Sequence, residues 1–265
     1  MTQRALRSPL LWLPLPWLFA AQLSAAAPTL RYEVIARYKH PDNAFTQGLE
    51  LSGDTLYESS GLYWRSYISS CPLTTGASCT KQSLPYSVFG EGLTLWNDRI
   101  YTLSWREKRG FIFDKKTLKK LGEFSYQGEG WGLTHNDAAL IMSDGTSMLR
   151  FINPNTLVTE RSINISDGET PIDNLNELEW IPAHSSQPER LLANIWQSDE
   201  IVVIDSEKGR VTARLDLSKL YPKSTRSEKA DVLNGIALDT RDQSLLITGK
   251  FWPYIYRIRV LDALP

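Results

Sequence analysis

The chain has 265 residues, 29 Lys and Arg against 30 Asp and Glu, and 42% apolar side chains. Its length suits one domain or an array of small units, and its apolar share is enough for a packed core. Balanced charge with no basic run argues against nucleic acid as a partner.

The N-terminus has the pattern of a secretory signal peptide over residues 1–26. Arg4 and Arg7 are basic, Leu10 to Leu23 is apolar, and Ser24, Ala25 and Ala26 are small. Pro14 and Pro16 interrupt the apolar stretch, which is short for a spanning helix; an uncleaved anchor is the alternative. No later segment is apolar enough to span a membrane. Pro28 favours cleavage after Ala26 over Ala27. The mature domain, 27–265, is expected in the periplasm or outside the cell.

Tyr32 to Tyr38 reads as a strand, and after it comes the first of five related stretches. They are Phe45-Thr-Gln-Gly-Leu-Glu-Leu, Phe89-Gly-Glu-Gly-Leu-Thr-Leu, Gly128-Glu-Gly-Trp-Gly-Leu-Thr, Leu175-Asn-Glu-Leu-Glu-Trp and Leu233-Asn-Gly-Ile-Ala-Leu. Aligned on Gly48, Gly92, Gly132, Glu177 and Gly235, they recur at intervals of roughly 40–60 residues, a spacing that fits propeller blades. A second β-like run follows each, starting at Asp54, Asp98, Ala138, Glu189 and Gln243. Gly53-Asp54, Asn97-Asp98 and Asn136-Asp137 mark hairpin turns before the first three. Third runs follow at 65–69, 110–114, 148–153, 200–205 and 254–260. Fourth runs follow at 120–125, 159–165 and 211–217. Long helical periodicity is missing. The pattern predicts an all-β fold, a five-bladed propeller of four-stranded antiparallel blades. Tyr32 to Tyr38 would complete the last blade, which otherwise ends soon after Val260.

Two inserts interrupt the array. One carries the only cysteines, Cys71 and Cys79. Export favours a disulfide between them, stapling a loop and contributing roughly 2.5 kcal/mol on the chain-entropy model. The other, Leu217 to Asp231, is polar and should form an exposed loop with about one helical turn.

Radial blades would bring the residues before the pivots to one end of the axis: Gln47, Glu91, Trp131, Asn176 and Asn234. The ends of the second strands would add Trp105, Asp144, Trp196 and Lys250. With Phe45 and Phe89 these form an apolar box with a few convergent polar groups, the usual make-up of a small-molecule site. Individually the tryptophans could serve packing, Glu91 could accept from loop amides, and Lys250 could be solvated. No two of the three histidines stand at metal-ligand spacing, so no metal or other cofactor is expected, and a structural cation in the channel stays open. No nucleophile elbow or glycine-rich phosphate loop is present.

The motifs resemble the glutaminyl-peptide cyclotransferase family of plant and bacterial type. The resemblance rests on Phe45-Thr-Gln-Gly-Leu, Gly90-Glu-Gly-Leu-Thr, Glu129-Gly-Trp-Gly-Leu-Thr, Met142-Ser-Asp-Gly, Leu175-Asn-Glu-Leu-Glu-Trp, Asn194-Ile-Trp-Gln-Ser-Asp, Leu233-Asn-Gly-Ile-Ala and Thr248-Gly-Lys-Phe-Trp-Pro, in order along the mature chain. It implies a five-bladed propeller that converts N-terminal glutaminyl residues of peptides or proteins to pyroglutamate and releases ammonia. It places the acid/base glutamate at Glu91 and pocket residues at Phe45, Gln47, Trp105, Trp131, Asn176, Trp196 and Lys250. The Cys71–Cys79 insert is expected in only part of the family.

Such chemistry fits these residue types. The substrate's own amine attacks its own γ-amide, so the enzyme need supply only a proton shuttle and an oxyanion donor. Glu91 suits the first role; Gln47, an indole N–H or Lys250 suits the second. A monomer is expected. The competing reading is a secreted propeller that binds a peptide or sugar without converting it. A calcium-dependent lactonase would want more carboxylates at the channel mouth than Glu91.

Overall fold

A computed structural model describes residues 26–74, 78–185 and 187–265. The expected leader, all but Ala26, lies outside the described residues. Five antiparallel sheets form a five-bladed β-propeller, and no α-helix occurs among the described residues.

Chain order begins with β1 (Tyr32–Lys39). Blade one is β2 (Thr46–Ser52), β3 (Thr55–Ser60), β4 (Tyr67–Pro72) and β5 (Thr80–Ser83). Blade two is β6 (Gly90–Trp96), β7 (Arg99–Ser104), β8 (Arg109–Asp114) and β9 (Lys120–Ser125). Blade three is β10 (Leu133–His135), β11 (Leu140–Ser143), β12 (Met148–Ile152) and β13 (Thr159–Asn164). Two short strands, β14 (Ser166–Asp167) and β15 (Thr170–Pro171), extend the outer edge of blade four. That blade is β16 (Leu175–Ile181), β17 (Arg190–Ile195), β18 (Glu200–Asp205) and β19 (Arg210–Asp216). Blade five is β20 (Leu233–Asp239), β21 (Ser244–Gly249) and β22 (Tyr254–Val260).

Burial explains which strands sit inside. Every residue of β20 is buried, so this strand packs on both faces, whereas outer β19 alternates between buried and open positions. The innermost strands β2, β6, β10, β16 and β20 touch their neighbours in a closed ring. β1 pairs antiparallel with β22, from Tyr32 opposite Val260 to Lys39 opposite Tyr254, and so completes blade five. This closure joins the two ends of the chain and covers an edge that would otherwise stay unpaired.

Two of the expected hairpins are two-residue turns. Gly53 (φ 60°) and Asn97 (φ 55°) adopt the left-handed backbone such turns require. At Asn136 the loop is longer, and the Asn136 side chain accepts from the N–H groups of Ala138 and Ala139 instead. The fourth strand of blade one, β5, and the pair β14 and β15 went unread in the sequence because they are short and polar.

Cys71 and Cys79 form a disulfide that ties β4 to the segment leading into β5. The second insert contains one 3₁₀ turn, Lys223–Thr225. Most of it is exposed, as expected, but part of it is anchored. Leu217 and Leu220 are buried in the core between blades four and five, and the Tyr221 ring stands 5.2 Å from that of Trp252. Arg226 pairs with Asp199 at 2.5 Å, largely out of solvent. Two leucines three apart, the Tyr221 ring and an arginine with a carboxylate to meet pull parts of this segment onto the body.

The pivots occupy the walls of the channel. A Cβ on Gly92 would lie 2.4 Å from the Leu133 nitrogen, and one on Gly132 would lie 1.9 Å from the Asn176 oxygen. Backbones of adjacent blades approach there more closely than any side chain allows. On blade four the pivot is Glu177, and its side chain runs into the channel. Its carboxyl oxygens accept from Leu49 N–H of blade one (3.1 Å) and Ile236 N–H of blade five (2.9 Å). Glu179 accepts from Leu238 N–H at 2.7 Å, and Glu50 accepts from Thr94 Oγ1 and Leu95 N–H, each at 2.8 Å. Burial raises the pKa of Glu177, and the neighbouring carboxyls of Glu179 and Glu50 raise it further.

Candidate active site

One cavity of about 300 Å³ opens between the inner strands and gathers the residues expected for the site except Asn234 and Asp144. Gln47 on β2, Glu91 on β6 and Asn176 on β16 come from inner strands. Trp105, Trp196 and Lys250 each stand one residue beyond the end of a second strand, β7, β17 and β21. Phe45 and Trp131 sit in the loops leading into β2 and β10. Phe89 and Asp231 complete the lining.

Two other members of the predicted rings lie elsewhere. Asp144 pairs with Arg150 at 2.6 Å and does not line the cavity. Asn234 is buried behind Gln47. Its amide nitrogen donates to the Thr46 carbonyl (2.9 Å) and to Gln47 Oε1 (3.3 Å). That contact occupies the Gln47 oxygen and leaves its NH₂ group as the donor available to a ligand. Asn176 is 2% exposed, and its side-chain oxygen has no hydrogen-bonding partner among the described residues. A buried unpaired acceptor in a cavity wall is a ready site for a ligand N–H.

The walls are aromatic. Phe45 meets Phe89 edge-on at 5.9 Å, and Phe89 meets Trp105 at 5.6 Å. Trp131 meets Trp196 at 5.5 Å. Sequence reading missed what orients two of the indoles. Glu129 Oε2 accepts from Trp105 Nε1 (2.7 Å) and from Trp131 Nε1 (3.0 Å). Its other oxygen accepts from Arg106 at 3.2 Å, and the Arg106 guanidinium stacks 3.7 Å above the Trp105 ring. Burial works against the charge on Glu129, but the bonds from Trp131, Trp105 and Arg106 outweigh it and hold its pKa below the usual value. Glu129 lies inside the third repeat, Gly-Glu-Gly-Trp-Gly. Its placement two residues before an indole was the only signal available. Asp231 was hidden at the end of the polar insert.

Glu91 and Lys250 are each 5% exposed. Burial among apolar walls pushes the Glu91 carboxyl well above the ordinary range. Lys250 pulls it back, while Glu129 and Glu107 push it up further. Burial lowers the Lys250 ammonium, against the attraction of Glu91 and Asp231. The Lys250 nitrogen also stands 4.8 Å from the centre of the Phe45 ring. Groups whose pKa values are displaced toward one another, enclosed in a small apolar cavity, are a mark of proton-transfer sites. Among the described residues no three His, Cys, Asp or Glu side chains assemble as a metal-binding group.

Comparison with known proteins gives this site its context. The family model described as glutamine cyclotransferase matches residues 12–260. The chain belongs to the glutamine cyclotransferase family. It is 40% identical over 236 residues to a curated Arabidopsis thaliana protein named glutaminyl-peptide cyclotransferase, spanning 87% of this chain and 72% of that one. Its fold matches the crystal structure of Myxococcus xanthus glutaminyl cyclase with a TM-score of 0.76 and 29% identity, over 89% of this chain and all of that one. The family match ends at Val260, the last residue of β22, so it takes in all five blades.

Proposed function

We propose that this protein is a glutaminyl-peptide cyclotransferase in which Glu91 relays protons without a metal. The observation that carries the reading is a buried carboxyl, Glu91, sharing with buried Lys250 a cavity walled by three indoles, where the other lining carboxyl, Asp231, is exposed. The family relationship supplies the reaction. The geometry supplies roles.

An N-terminal glutaminyl residue arrives with its amine as ammonium. Ionised Glu91, with its raised affinity for protons, takes one and leaves a neutral amine. The amine nitrogen bonds to the γ-amide carbon, and the carbonyl electrons move onto oxygen. Protonated Glu91 then delivers its proton to the departing nitrogen as the carbon–nitrogen bond breaks and ammonia leaves. The ring nitrogen returns its surplus proton to Glu91, and ammonia finally removes it. No enzyme nucleophile is needed, because amine and amide share one side chain.

The oxyanion needs a donor already in place. The Trp105 and Trp131 N–H groups are taken by Glu129, which narrows the choice to the Gln47 NH₂ group, the Lys250 ammonium and the Trp196 N–H. The unpaired Asn176 oxygen would accept from the leaving amide. The indoles would enclose the side chain and exclude water. The same reading makes the protein an exported monomer, in keeping with its disulfide.

Ammonia release from a Gln-initiated dipeptide, with and without chelator, tests this reading. Equal release in both arms supports it. No release would leave a binding propeller, and release abolished by chelator would point to metal chemistry.

Glu129 offers a separate check. Glu129→Ala frees both indoles and should raise KM and lower kcat/KM by about tenfold or more. Glu129→Gln keeps an oxygen for the two N–H groups but removes a charge that raises the Glu91 pKa. The acid limb of kcat/KM should therefore move to lower pH. An unmoved limb would disprove the electrostatic link.

A further inference from the structure

Three exposed aromatic side chains, Tyr63 (38% exposed), Trp64 (75%) and Tyr86 (69%), are carried by loops at one rim of the cavity. They come from two loops, β3–β4 and β5–β6, which are joined together. Trp64 N–H donates to the Tyr86 carbonyl at 3.0 Å, Leu84 N–H to the Ser66 carbonyl at 2.9 Å, and Gly90 N–H to the Ser66 hydroxyl at 2.9 Å. The rim is continuous with the cavity wall. The Tyr63 ring stands 5.4 Å from that of Phe89, which lines the cavity, and the Tyr63 hydroxyl donates to Glu107 at 2.9 Å. Gly61, where the first loop begins, lies so close to Phe89 and Gln47 that a Cβ there would be 2.5 Å and 3.1 Å from them.

Backbone conformation is unusual in this loop. Leu62 (φ 92°) and Trp64 (φ 73°) are both in the positive-φ region that bulky side chains avoid. Strain of this kind concentrates where a surface is shaped for a ligand. A large indole held on such backbone with three-quarters of its surface in water gains little from folding.

We propose that Trp64 and Tyr86 form a subsite for the second residue of the substrate peptide, selecting an apolar or aromatic side chain there. The inference rests on the glutaminyl-cyclisation reading. A cavity of about 300 Å³ holds the glutaminyl residue, so the rest of the peptide must leave across the rim. Tyr63 continues the aromatic wall outward, and Trp64 and Tyr86 offer the next apolar surface. Occupation of that surface would remove exposed aromatic area from water, a contribution absent for a glycine at the same position.

The test compares kcat/KM for Gln-Phe-amide and Gln-Gly-amide in the wild-type protein and in Trp64→Ala and Tyr86→Ala. The wild type should favour Gln-Phe-amide by about tenfold or more. The ratio should fall toward 1 in Trp64→Ala and drop by a smaller factor in Tyr86→Ala. Both side chains are exposed, so neither variant should unfold. A wild-type ratio near 1, or a preference that survives in both variants, overturns the subsite. Failure of the wild type to release ammonia from either peptide would instead overturn the underlying reading, and the subsite with it.

Discussion

Glu91→Gln should lower kcat by about 10²–10⁴-fold while the protein stays folded. Glutamine has nearly the shape of glutamate, so packing against the aromatic walls is kept. What disappears is the ability to take a proton from the amine and return one to the leaving nitrogen. KM should change little, because binding falls mainly to the indoles, Gln47 and Asn176. Circular dichroism and thermal melting would check the fold, and ammonia release would give the rate. A variant that cyclises a glutaminyl peptide at near wild-type rate would remove Glu91 from the mechanism. The burial of Lys250 makes the substitution more informative. With Glu91 neutral, Lys250 loses the larger of the two attractions opposing its own desolvation, so its pKa should fall further.

Glu177→Ala should have the largest effect on stability, a loss of about 2–5 kcal/mol. Its carboxyl group bridges backbone N–H groups of blades one and five across the channel. Removing it orphans two buried donors, each costing about 1–3 kcal/mol. Relief of repulsion from Glu179 and Glu50 offsets part of that cost. Against a usual total of about 5–15 kcal/mol the net loss is large. Urea unfolding followed by tryptophan fluorescence measures it, and a loss below about 1 kcal/mol would show that the bridge does not hold the ring together. The site should suffer too. Asn176 precedes Glu177 on β16, and loosening that strand displaces the unpaired oxygen in the cavity wall, so KM should rise.

Glu177 also shows why a pattern was readable before its cause. It aligned with four pivot glycines because its neighbours repeat, although glutamate has none of glycine's freedom. The structure supplies the reason. Gly92 and Gly132 allow backbone contact with the next blade, whereas Glu177 sends its side chain across the axis to bond backbone on both sides of the ring. The closing strand was readable in the same way. A lone strand at the start and a three-stranded unit at the end imply one another once the repeat is counted.

The linear order of residues determined the number of blades, the closure by β1 and nine of the ten side chains that line the cavity, because a recurring motif and a period-2 pattern are local properties. Only tertiary structure decided which of those groups are free to act. Asn234 turned out to hold Gln47, Glu129 to hold two indoles, and Asp231 to face the cavity. The Leu217–Asp231 insert is largely the solvated loop expected, but Leu217, Leu220 and Arg226 anchor it to the body. Hydrogen-bond partners and desolvation depend on atoms brought together from different blades, and spacing along a chain carries no record of those distances.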